Sequence, residues 1–147
     1  MSFKNKNFSV IALTELAIPY LEKTKGNIVC VSTISAKRPC PEPFYGIAKA
    51  GLDHVVRNYA AILAPSGIRI NTLNPGVTDT NFFLRHSEKF FDGIKKAISI
   101  PLGRLGTLED MANFLIFVAS DKASYMTGQN VVVDGGVLIN SPTIKFD

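Results

Sequence analysis

The chain has 147 residues, 46% of them hydrophobic, and its 16 basic and 12 acidic side chains give a formal net charge of +4. That length and apolar content are enough for one buried core, so a single domain over residues 1–147 is expected. The basic residues are scattered, with Lys95-Lys96 as the longest cluster and no interleaved aromatics, which argues against a nucleic-acid partner. Residues 1–7 are not followed by the apolar core of a secretory signal. No apolar run approaches the roughly 20 residues that span a bilayer, so the expectation is a soluble, cytoplasmic protein without a membrane span.

Along the chain, Val10, Leu13, Leu16, Ala17 and Leu21 recur at helical spacing and predict an amphipathic helix over about residues 8–23. Gly26 ends it, and Asn27-Ile28-Val29-Cys30-Val31-Ser32 reads as a strand covered on both faces. Two cysteines, Cys30 and Cys40, suit neither a disulfide framework nor a metal cluster, and a buried thiol at Cys30 fits a reducing compartment. Pro39, Pro41 and Pro43 make residues 35–43 a loop. A second helix runs from near Tyr45 to Pro65, and a second strand covers Ile68 to Leu73, broken by Asn74-Pro75-Gly76. Thr107 caps a third helix over 108–119, with Glu109 and Asp110 at its positive end. Asn130 to Val133 is a third strand. Alternating helices and apolar strands predict an α/β fold, an incomplete doubly wound, Rossmann-like parallel sheet of about three strands with flanking helices.

Tyr45 and Lys49 lie four residues apart and so share one helical face. A phenol ionises near pH 10 (roughly) and is a poor acid or base at neutrality, but an adjacent ammonium stabilises the phenolate. The pair is therefore a candidate for general acid–base work. By itself the spacing is common in solvated helices, and its neighbours decide its meaning.

Those neighbours are Gly-Asn-Ile-Val-Cys-Val-Ser-Thr (26–33), Tyr-x-x-x-Lys (45–49), Gly-Ile-Arg-Ile-Asn-Thr-Leu-Asn-Pro-Gly (67–76), Pro-Leu-Gly-Arg-Leu-Gly (101–106) and Thr-Gly-Gln-Asn-Val-Val-Val-Asp-Gly-Gly (127–136). In this order they resemble the carboxyl-terminal half of a short-chain dehydrogenase/reductase, with similarity running from about residue 9 to 137. The resemblance implies hydride transfer between a nicotinamide cofactor, NAD or NADP, and a small-molecule carbonyl or alcohol. Tyr45 would exchange the proton, and Lys49 would lower its pKa and hold the nicotinamide ribose. Alignment by the strand puts Thr33 at the family's hydroxyl position, whereas counting back from Tyr45 gives Ser32; either hydroxyl can donate. Strand register is fixed by burial while loops absorb deletions, which favours Thr33. Pro75, Gly76, Val77 and Thr80 resemble the segment lying over the nicotinamide. Phe82, Phe83, Phe90 and Phe91 fall in the family's variable substrate lid, where they serve an apolar substrate or pack a helix. Asn7, or Lys6 in gapless alignment, falls where the family places a relay asparagine.

One part of the family pattern has no counterpart. A nicotinamide enzyme of this fold uses a glycine-rich turn between strand and helix to meet the pyrophosphate, and no Gly-x-x-x-Gly-x-Gly follows a strand here. The expectation is therefore an N-terminally truncated dinucleotide-binding and catalytic domain, inactive as this chain alone. The alternative is a non-catalytic truncated subunit that pairs with full-length relatives. A homo-oligomer is the other partner state the resemblance implies.

Overall fold

A computed structural model describes residues 3–80, 93 and 98–140. Its centre is a parallel sheet of three strands in chain order, β1 (Asn27–Val31), β2 (Arg69–Pro75) and β3 (Asn130–Val133). Asn27 pairs with Arg69 and Val31 with Leu73, while Thr72 pairs with Asn130 and Pro75 with Val133. Parallel neighbours require crossover connections, and helices supply them. These are α1 (Phe3–Thr24), α2 (Pro43–Leu63) and α3 (Leu108–Ala119).

The middle strand is buried along its length, and Ile70 and Leu73 are almost fully enclosed. Ile70 packs with Leu52, Val56 and Ala60 of α2, against Ile28, Cys30 and Val10. Strand alternation puts the neighbouring residues on the opposite face. There Asn27 Nδ2 donates to the Ala119 carbonyl at the end of α3 (2.9 Å). Arg69 donates to the Val118, Met126 and Ser120 carbonyls, placing a cation where the negative end of α3 needs one. The result is an α/β/α arrangement with α1 and α2 on one face and α3 on the other.

Three boundaries differ from the sequence pattern. The first helix begins at Phe3 rather than about residue 8, and its stripe is only partly covered, since Leu13 and Leu16 are 67% and 70% exposed. The loop after β1 contains a short 3-10 turn, Ile34–Ala36, and Pro43 opens α2, where its missing N–H is harmless. The second strand continues through Asn74 and Pro75 instead of breaking there. Ser32 N–H donates to the Leu73 carbonyl, so odd residues of β2 face β1. Pro75 turns its missing donor to that side, beyond the last β1 partner, and the ladder to β3 is intact.

The same alternation leaves β1 with an open edge. Ser32 and Gly26 direct backbone groups to β2, so Asn27, Val29 and Val31 direct theirs away from it. Among the described residues no strand pairs there. A cleft of about 850 Å³ runs along this edge between α1, β1 and α2. Phe82, Phe83, Phe90 and Phe91, and the side chains of Lys6 and Asn7, lie outside the described residues.

Candidate active site

The site forms where β1 ends and α2 begins. Residue 33 leaves the strand in extended backbone geometry (φ −172°, ψ 160°) and caps the 3-10 turn, its Oγ1 accepting from the Ser35 N–H at 3.3 Å. The first turn of α2 then brings Tyr45 across, and the Thr33 and Tyr45 side chains are hydrogen-bonded. One turn later, Lys49 Nζ donates to the Val31 carbonyl at 2.7 Å, on the open edge of β1. Tyr45 and Lys49 both line the cleft, together with Cys30 and Val31.

Ser32 is placed differently. It is 4% exposed, and its Oγ donates to the Lys49 carbonyl at 3.4 Å, tying the strand end to the helix backbone. Of the two hydroxyls considered for one position, the structure therefore brings Thr33 to the phenol, and Ser32 to the main chain of α2.

Burial pushes the Tyr45 phenol above its ordinary value; the Thr33 hydrogen bond pulls it down, while Cys40 and Glu42 push it up. The net direction is upward, the reverse of the lowering expected from Lys49, because desolvation is the largest contribution. Burial likewise raises the Cys30 thiol, with the charge of Lys49 opposing. At neutral pH the phenol holds its proton, which suits an acid that gives one up to a developing negative charge.

The segment after β2 is held by other means. A Cβ on Gly76 would lie 2.6 Å from Asp134 Cα, so only glycine lets these backbones cross. Val77 accepts from the Gly106 N–H (3.0 Å), and Asp79 N–H donates to the Gly106 carbonyl (2.8 Å), with Thr78 bridged to Gly106 between them. Pro75 through Thr80 is thus fastened to the loop before α3, and Asn74 links it to the Tyr45 region by donating to the Thr33 carbonyl at 3.1 Å. That loop is itself fixed, because Arg104 grips Asp110 with two hydrogen bonds while Asp110 and Thr107 form a reciprocal cap on α3. These contacts hold the Asp110 carboxyl well below the usual carboxylate range.

Three residues of this region were given no role by sequence reasoning: Asn74, which lies within the 67–76 motif, and Asp53 and Lys37, which lie outside the motifs. The signal available for Asp53 was its spacing, one further turn along the helical face that carries Tyr45 and Lys49. No group of acidic, histidine or cysteine side chains among the described residues is arranged to hold a metal.

Comparison with known proteins bears on the family and the fold. The family profile described as enoyl-(acyl carrier protein) reductase matches residues 2–138. The 3-oxoacyl-(acyl-carrier-protein) reductase FabG of Thermotoga maritima is 37% identical over 133 residues, which are 88% of this chain and 53% of that protein. A solved short-chain dehydrogenase/reductase of unknown function from Caenorhabditis elegans, described with cofactor, superposes with a TM-score of 0.83 at 34% identity. That match covers 96% of this chain and 56% of the other. A 7α-hydroxysteroid dehydrogenase complexed with NADH and 7-oxo glycochenodeoxycholic acid gives a TM-score of 0.83 at 30% identity, covering 92% of this chain and 53% of its own. The chain spans about half the length of the curated relatives it matches.

Proposed function

The chain belongs to the short-chain dehydrogenase/reductase family, and from that premise we propose that it carries the proton-transfer end of an NAD- or NADP-dependent oxidoreductase acting on a small carbonyl or alcohol. The observation that carries this reading is the meeting of Tyr45, hydrogen-bonded to Thr33, with Lys49 at one end of a single cleft. In the reductive direction the Tyr45 phenol gives its proton to the carbonyl oxygen as that oxygen becomes negative, and Thr33 donates a hydrogen bond to the same atom. In the oxidative direction the phenolate takes the proton back. A bound nicotinamide supplies or accepts the hydride. Lys49, Tyr45 and the segment Pro75, Gly76, Val77 and Thr80 would hold its nicotinamide end.

The residues fit that end of the cofactor and not the phosphate end. No glycine-rich turn joins a strand to a helix in the sequence. The glycines that follow β3 do not substitute for one, because among the described residues no α-helix follows them to present its N-terminus. The phosphate site belongs to a complementary segment, so this chain alone is expected to be inactive. A cytoplasmic setting stays part of this proposal; no helix among the described residues is long and apolar enough to cross a membrane.

A second reading, a non-catalytic subunit that pairs with full-length relatives, is favoured by the uncovered apolar surface. Phe44 and Ile47 of α2 are 78% and 54% exposed, and among the described residues no strand pairs with the edge of β1 beside the cleft. Complementation separates the two readings. The chain is combined with the glycine-rich amino-terminal half of a relative, and NADH or NADPH oxidation is followed with a panel of carbonyls. Restored turnover that Tyr45→Phe lowers by about 10²–10⁴-fold supports the catalytic reading. Restored turnover indifferent to Tyr45→Phe overturns it, and association without turnover favours the pairing subunit.

A further inference from the structure

Asp53 sits one helical turn beyond Lys49 and two beyond Tyr45, on the face of α2 that meets the sheet. It is 4% exposed, an uncommon place for a carboxylate, and buried charge persists only with compensating partners. Its partners both lead back to Thr33. Asn74 Nδ2 donates to Asp53 Oδ2 at 2.8 Å and to the Thr33 carbonyl at 3.1 Å, engaging both amide hydrogens. Lys37, just past the 3-10 turn that Thr33 caps, places Nζ 3.8 Å from the same Asp53 oxygen. The short segment holding the Thr33 hydroxyl is therefore anchored at both ends to one carboxylate.

The orientation of the Asn74 amide is also fixed. Its Oδ1 accepts from Thr72 Oγ1 at 3.0 Å, and that hydroxyl accepts in turn from Asn130 Nδ2 at 2.6 Å. Turning the amide over would set its carbonyl against the Asp53 carboxylate and leave buried polar groups unpaired. Meanwhile Asp53 Oδ1 is buried with no hydrogen-bond partner among the described residues. A residue kept only for fold stability would do better as a well-packed apolar side chain than as a carboxylate with one orphaned oxygen.

We propose that Asp53 is a positioning residue, acting through Asn74 and Lys37 to hold the Thr33 hydroxyl against Tyr45. This rests on the reading of Tyr45 and Thr33 given above. Neither Asp53 nor Asn74 touches the reacting atoms; their effect passes through the backbone of residues 33–37. Besides Thr33, the groups among the described residues that bear on the phenol include Cys40 and Glu42 from the preceding loop, with Lys49 and Cys30 lining the same cleft, and these are left intact by changes at Asp53.

The test needs no turnover. The full chain is labelled with carbon-13 at the tyrosine Cζ, the Tyr45 signal is assigned with Tyr45→Phe, and its shift is followed from neutral pH through its titration. Thr33→Val removes the bond that lowers the phenol, so the midpoint should move to higher pH. Asp53→Asn should move it the same way, and in the Thr33→Val background Asp53→Asn should add nothing. A Tyr45 signal unchanged by Asp53→Asn, or moved equally with and without the Thr33 hydroxyl, overturns the assignment. If Thr33→Val itself leaves Tyr45 unmoved, the Tyr45–Thr33 pairing fails first. Should Asp53→Asn not fold, Lys37→Met decides: a smaller movement in the same direction, absent in the Thr33→Val background, supports the anchor, and no movement overturns it.

Discussion

The first strand of the sheet is the more apolar in sequence, yet it is the middle strand that is buried along its length. β2 has neighbours on both edges and helices on both faces, and even its polar residues are buried and bonded: Asn71 donates to the Met126 carbonyl (2.9 Å) and accepts from the Gln129 N–H (3.0 Å). Among the described residues β1 has one neighbour, and its last residue, Val31, is 50% exposed beside an apolar cleft. The candidate site lies where β1 ends and α2 begins. Tyr45 and Lys49 reach over the open side of β1, where Lys49 bonds the Val31 carbonyl and both line the cleft. The groups proposed for proton transfer come from adjoining elements, β1 and α2, and among the described residues nothing pairs with the outer edge of β1.

The largest expected effect sharpens that contrast. Ile70→Ala should destabilise the chain by about 2–5 kcal/mol in denaturant unfolding, the usual range for a buried large-to-small change. Val31→Ala should stay under about 1 kcal/mol, as for a part-exposed site. Equal losses would mean that the β1 edge is covered in solution. Gly76→Ala comes next, at about 1–3 kcal/mol, because the new methyl meets backbone atoms of Asp134 that cannot swing away. Thr107→Ala should cost about 1 kcal/mol through loss of the α3 cap, lying far from the open edge. The smallest effect is that of pH. Burial raises both Cys30 and Tyr45, so the folded state holds these protons more tightly than the unfolded one. That contribution is complete below the unfolded values, 9.0 and 10.0, and is lost as pH rises through the raised folded values. Denaturation midpoints should fall in the alkaline range, less so in Tyr45→Phe; a midpoint that rises there would contradict the burial.

Much of this was legible in the residues. The parallel sheet followed from apolar strands alternating with helices, the α3 start from Thr107 and Asp110, and the Tyr45–Lys49 face from their spacing. What was not legible depends on neighbours far along the chain. The continuation of β2 through Pro75 rests on which edge its missing donor faces, and that is set by pairing rather than by the local residues. Leu13 and Leu16 mark an apolar stripe, but a stripe does not say whether anything covers it. Tyr45 was expected to ionise more easily beside Lys49, whereas burial, which only the packed structure reveals, dominates in the other direction. The place of Asp53 was not legible, because its partners Asn74 and Lys37 are distant in sequence.

The direct measurement is calorimetric titration of the purified chain with NADH and with NADPH. No saturable binding in the micromolar range is the expected result, since the residues proposed to hold the cofactor serve its nicotinamide end and no glycine-rich turn between strand and helix is present in the sequence to meet the pyrophosphate. Micromolar affinity for either cofactor would contradict it, and would place a phosphate site within these residues.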